Sequence, residues 1–119
     1  MLHNKERLSQ VFQALADPGR RAIVEQLAQG DRPVSDLARP LPMSLSAVLQ
    51  HLAVLEASGL VQSTKVGRVR TCRLNVAGLD ALQTWIDRRR AGMERRLDRL
   101  SAYLESEKAI AAPKPGRRK

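Results

Sequence analysis

Acidic residues are missing over one long stretch. Between Glu56 and Asp80 there is none, although Lys65, Arg68, Arg70 and Arg73 all fall there. Aromatic rings are nearly absent: Phe12, Trp85 and Tyr103 are too few for the stacking platforms that hold single-stranded nucleic acid without regard to sequence. Cysteine occurs once, as Cys72. An intrachain disulfide is therefore impossible, and so is a zinc ribbon or finger, which draws four Cys or His ligands from one neighbourhood. That usage points to a reducing compartment. No apolar run approaches the ~18 residues that cross a bilayer. The opening stretch, MLHNKERLSQVFQALAD, breaks its apolar positions with Gln and Ser, unlike a secretory signal. A cytoplasmic location with no membrane partner is the expectation. Also missing are a nucleophile–His–carboxylate set, a phosphate-cradling glycine loop and a recognisable carboxylate pair, so no enzyme and no cofactor are expected.

What the chain does have is positive charge. Lys and Arg number 21 against 12 Asp and Glu, a formal net charge of +9 over 119 residues. A protein this basic meets phosphate, on nucleic acid or on an anionic membrane surface. With stacking disfavoured, double-stranded nucleic acid read by helices and basic side chains comes first. Hydrophobic residues make up 43 %, enough for the modest core of one domain. That domain is expected over residues 1–110, with residues 111–119, AAPKPGRRK, as a disordered basic tail.

Periodicity organises the rest. Leu8, Val11, Phe12 and Leu15 follow one helix face and stop at Asp17-Pro18, where Asp17 can cap a second helix and Pro18 suits its first turn. The second helix carries Ile23, Val24 and Leu27 and ends at Gly30. Val34, Leu37, Ala38 and Leu41 form a short third element, cut near Arg39 by Pro40 and Pro42. Ser44 then caps a helix whose buried face is Leu45 or Ala47, then Val48, Leu52 and Leu55, ending at Ser58-Gly59. From Leu60 the pattern alternates around Gly67-Arg68, a β-hairpin. Cys72 shares parity with Leu74 there and is expected to be buried.

A long helix closes the chain, from about Val76 to about Lys108. Leu79, Ile86, Met93 and Leu100 recur every seven residues, with Leu82, Leu97 and Leu104 beside them. Such a helix is about 45 Å long, against a radius of gyration of about 14 Å for a domain of this size. Its far half needs a partner, and self-association through this stripe is the economical one, with Leu8, Val11 and Phe12 helping and Trp85 and Tyr103 as anchors.

The order helix, helix, helix-turn-helix, basic hairpin, long helix is that of a winged helix-turn-helix: mainly α with a small β-hairpin. Leu15-Ala-Asp-Pro-Gly-Arg-Arg-Ala-Ile-Val24, Val34-Ser-Asp-Leu-Ala38, Ser44 to Val61 and the Gly67-Arg68 tip together resemble the ArsR/SmtB-type bacterial repressors, over about residues 8 to 105. The resemblance implies a homodimeric transcriptional regulator, usually a repressor, with its fourth helix (about 44–57) in the major groove and its wing (60–75) on the backbone or minor groove of a palindromic operator. Metal sensors of that family carry a Cys-x-Cys pair immediately before Asp-Leu-Ala. Here Pro33, Val34 and Ser35 stand there, and the only histidines are His3 and His51. The chain therefore resembles the branch without metal sites. The family usually releases its operator when a ligand binds, and the sequence does not name a small-molecule effector for this chain.

In such a motif the first turn and a half of the second helix enters the groove. Gln50 is the leading base reader, because its amide can pair with N6 and N7 of adenine. Ser46 reaches a phosphate or base edge, and Leu45 or Ala47 meets a thymine methyl, with Leu49 alongside; Ser44 and His51 complete the helix's candidate DNA contacts. The competing reading for each is a solvated or packed helix position. Lys65, Arg68 and Arg70 of the wing are expected on phosphate, helped by Arg20, Arg21 or Arg39. The hairpin contributes four positive charges, and Lys114, Arg117, Arg118 and Lys119 contribute four more, so nearly all the net charge sits on two appendages. The alternative to a sequence-specific regulator is a non-specific architectural or adaptor protein using the same winged helix.

Overall fold

In the computed structural model, residues 4–111 are described; all of the expected tail except Ala111 lies outside them. The chain divides into two compact units, Met1–Gln83 and Thr84–Lys119.

The first unit begins with α1 (Asn4–Leu15) and α2 (Pro18–Ala28), joined at the expected corner. Asp17 is the N-cap of α2, its Oδ2 accepting the Arg20 backbone N–H at 3.1 Å, with Pro18 in the first turn. That hydrogen bond is the main reason the Asp17 carboxyl sits below its usual pKa range; partial burial opposes it, and the His51 and Arg20 side chains add to it. The chain then forms β1 (Arg32–Pro33) and α3 (Val34–Ala38) and turns at the two prolines into α4 (Leu45–Ala57). Ser44 caps α4, its Oγ accepting from the Ala47 N–H at 3.1 Å.

The hairpin is β2 (Val61–Val66) and β3 (Val69–Leu74), antiparallel, with Val66 opposite Val69. Gly67 has φ +61° and no non-glycine residue among those described has positive φ, the pattern of a two-residue II′ turn, whose twist matches that of the strands. The sheet has a third strand that alternation did not reveal. β1 pairs with β3 through Arg32–Cys72 and Pro33–Thr71, giving the order β1-β3-β2. Two residues are too few to show a period, and Pro is tolerated there because β1 lies at the sheet's edge.

The core gathers one face of each helix: Val11 and Ala14 of α1, Ile23 and Leu27 of α2, Leu37 of α3, and Val48, Leu52 and Leu55 of α4. Leu60, Val61 and Cys72 close it from the hairpin. Cys72 is fully buried, which pushes its thiol pKa up. Val11, expected between copies of the chain, is instead only 1 % exposed in the chain's own core, because α1 packs on α2 and α4 through that side. Leu8 is half-buried and Phe12 exposed.

The terminal helix starts later than its periodicity suggests. Val76–Leu79 form a 3₁₀ turn, and α5 (Asp80–Ala111) begins with an acid in its first turn. The tighter turn brings the backbone against the α4–β2 corner: a Cβ at Gly78 would lie 2.3 Å from the Gly59 carbonyl oxygen. Leu79 and Leu82, expected between copies of the chain, are partly buried against the core of their own chain. In the second unit the helix continues with Trp85, Ile86, Met93, Leu97, Leu100, Tyr103 and Leu104 all exposed. The Arg89 guanidinium lies over the Trp85 ring, 5.4 Å from its centroid, a cation–π contact.

Candidate nucleic-acid interface

Recognition by a helix requires one face to be anchored and the other free. In α4 the anchor is complete, since Val48, Leu52 and Leu55 have no exposed surface. The opposite side of its first two turns carries Leu45, Ser46, Leu49 and Gln50, all exposed. Leu45 is 56 % exposed while Ala47 is half-buried, so of the two candidates for the buried face Ala47 takes it. Ser44 is exposed, but its oxygen already serves the helix cap; its hydroxyl hydrogen is what remains to offer a phosphate.

His51 is turned away from this face. Its Nδ1 lies 3.3 Å from an Arg20 guanidinium nitrogen and its Nε2 lies 3.7 Å from Asp17 Oδ2. Nδ1 can accept from Arg20 only when it carries no proton. Arg20 is held further by the carbonyls of Ala14, at 2.8 Å, and Gln13, at 2.9 Å. One cluster thus joins the ends of α1 and α2 to the recognition helix. Its sequence signal is faint: Asp17 and Arg20 share one turn, and His51 precedes core Leu52.

The other flanking cations are also engaged. Arg21 donates to the Leu15 carbonyl at 2.7 Å, and Arg39 pairs with Asp36 at 3.3 Å. In the wing the four cations divide by their distance from the tip and by what they bond. Arg68 is exposed in the turn and Lys65 just before it, with Val66 and Val69 exposed beside them. Arg70 points inward and is bound to Glu56 and Ser63, and Arg73 donates to Gln62 on the outer face. Glu56 and Ser63 are participants that sequence reasoning passed over. The signal was there: Glu56 is the only acid in α4 and lies one turn beyond core Leu52, while Ser63 and Arg70 share the parity of buried Val61 and Cys72.

The arrangement is a chemically neutral reading helix beside a cationic hairpin tip. Among the described residues no three His, Cys, Asp or Glu side chains stand together as metal ligands, and no helix is long and apolar enough to cross a membrane.

Residues 17–63 match the family model described as "Bacterial regulatory protein, arsR family", a span from the Asp17 cap to the start of the wing. The "HTH-type transcriptional regulator Rv2034" of Mycobacterium tuberculosis is 52 % identical over 77 residues, 65 % of this chain and 72 % of that protein. The structure of an ArsR-like transcriptional regulator from Rhodococcus sp. RHA1 superposes with a TM-score of 0.74 at 39 % identity, covering 85 % of this chain and 93 % of that one. A Mycobacterium bovis protein described as a homodimeric winged helix-turn-helix DNA-binding domain superposes with a TM-score of 0.57 at 29 % identity, over 76 % of this chain and 82 % of its own.

Proposed function

The chain belongs to the arsR family of bacterial regulatory proteins, and from that premise we propose that it is a dimeric, sequence-specific DNA-binding repressor acting on a palindromic operator. The observation that carries this reading is the division of α4 into a fully buried face and an exposed polar start, set on the same domain as a cationic wing. Gln50 and Ser46 read base edges, Leu45 and Leu49 meet thymine methyls, and Lys65 and Arg68 hold phosphate.

Dimerisation follows from the second unit. A helix with Met93, Leu97, Leu100 and Leu104 each more than half exposed has an apolar stripe that one chain does not cover. The homodimeric state of the M. bovis relative supports the same reading. Two copies place two reading helices about 34 to 36 Å apart, one turn of the duplex. The region of Pro33, Val34 and Ser35 lacks the thiolates of the family's metal sensors, so the proposed regulator belongs to the branch without metal sites.

Gel shifts with a palindrome from the chain's own promoter test the proposal. Gln50→Ala should reduce the preference for that palindrome over scrambled duplex, and Arg68→Ala should weaken both alike. Equal affinity of the parent chain for all duplexes would favour the architectural alternative.

A further inference from the structure

The recognition helix and the wing are joined by a closed ring of three side chains. Glu56 lies in the last turn of α4. Ser63 faces Cys72 across the hairpin and Lys65 faces Arg70, so Ser63 and Arg70 are diagonal neighbours on the inner face. Ser63 Oγ donates to Glu56 Oε1 at 3.0 Å and accepts from Arg70 Nε at 3.1 Å. The Arg70 terminal nitrogen closes the ring on Glu56 Oε2. Both charged side chains are about two-thirds covered, with 35 % of Arg70 and 29 % of Glu56 exposed.

Two consequences follow. The Arg70–Glu56 bond is charge-assisted, Ser63 fixes the direction of approach by bonding both partners, and partial burial weakens screening by salt. The ring therefore restrains the angle between α4 and the hairpin beyond what their backbone junction at Gly59–Leu60 imposes. Arg70 is also neutralised where it stands, which leaves Lys65 and Arg68 as the exposed cations near the wing's tip, with Arg73 bonded to the neutral Gln62 at the far end of the strand. A protein that reads bases with one element and grips backbone with another needs the offset between them held to about half an ångström.

We infer that Glu56, Ser63 and Arg70 are positioning residues that set the wing in register with the recognition helix, and that Arg70 makes no DNA contact of its own. The inference rests on the DNA-binding reading above and goes beyond it. It carries an inversion: opening the ring from its acidic side releases a cation toward phosphate, so non-specific binding tightens while specific binding weakens.

The test uses the full chain with two duplex probes, one selected from a random pool by the parent protein and one of scrambled sequence, titrated over a range of sodium chloride concentrations. Arg68→Gln, the reference, should lower the slope of log affinity against log salt by about 0.9. Arg70→Gln should weaken binding to the selected probe about tenfold with the slope unchanged. Glu56→Gln should steepen the slope by about 0.9 on scrambled duplex and reduce the selected-to-scrambled ratio about tenfold. Ser63→Ala, a milder change, should reduce that ratio about threefold at constant slope, and serves if either charge variant unfolds. A slope reduction by Arg70→Gln equal to that of Arg68→Gln, or an unchanged ratio in Glu56→Gln and Ser63→Ala, overturns the inference. A parent chain that binds no duplex sinks the DNA reading instead. The ring is then judged in the free protein by the Arg70 Nε proton: slow exchange that Glu56→Gln abolishes supports it, and fast exchange in the parent overturns it.

Discussion

The helices α4 and α5 both carry apolar residues at helical spacing, and they use them oppositely. In α4, Val48, Leu52 and Leu55 are wholly removed from solvent within one chain. In α5, Met93, Leu97, Leu100 and Leu104 are 57 %, 55 %, 52 % and 56 % exposed. The difference lies in what surrounds them rather than in composition. Three other helices and the hairpin close over α4, whereas the described residues of the second unit belong to one helix. Burying such a side chain is worth about 1.5–3 kcal/mol, so the stripe on α5 is a reserve of association energy that folding of one chain leaves unused.

Four experiments break or sharpen that contrast, from the largest effect to the smallest. Leu52→Ala should destabilise the chain by about 2–5 kcal/mol in urea unfolding; a loss under 1 kcal/mol would mean that the α4 face is not the anchor described. Leu100→Asp puts a charge into the open stripe and should raise the dimer dissociation constant about 100-fold, near 2.7 kcal/mol, by sedimentation. The unfolding midpoint should then lose its dependence on protein concentration. On the free side of α4, Gln50→Ala should leave unfolding unchanged within about 0.5 kcal/mol and remove about 1–3 kcal/mol of discrimination between operator and a variant at one base pair. The contrast with Leu52, two residues away, separates reading from anchoring.

The smallest effect is in acid. The Asp17 carboxyl is held below its usual range in the folded chain, so its charge favours folding above the unfolded value of about 3.9. That contribution disappears as pH falls through the lower folded value. Asp17→Asn keeps a capping oxygen without the titration. Its melting temperature should fall less steeply than the parent's between about pH 5 and about pH 2, and parallel curves would rule out Asp17 as a source of the acid sensitivity.

Local features of the fold were legible because they rest on short-range physics. Asp17 and Ser44 were readable as caps since each needs only a helix beginning beside it. The hairpin was readable from alternation around Gly67, and the end of α3 from the prolines that follow Arg39. The exposed reading face was legible in its general placement: Ser46 and Gln50 are free, and only the choice between Leu45 and Ala47 needed the structure. Less legible was which charges are already taken. Arg20, Arg21, Arg39 and Arg70 look equally available in sequence, yet their partners stand 31 residues away at His51, at the Leu15 carbonyl, at Asp36, and 14 residues away at Glu56. Val11 likewise belongs to a periodic stripe that names a face without naming what covers it.

By itself the sequence determined the kinds of element, their order and the sign of the surface they present, because caps, breakers, period and charge act within a few residues of where they are written. Only the tertiary structure decided which apolar stripe is closed and which stays open, that a two-residue strand completes the sheet, and that of the wing's four cations Lys65 and Arg68 stand exposed near its tip while Arg70 is held against the recognition helix. Those outcomes depend on which surfaces meet at long range, and a side chain's charge or polarity does not say whom it will meet.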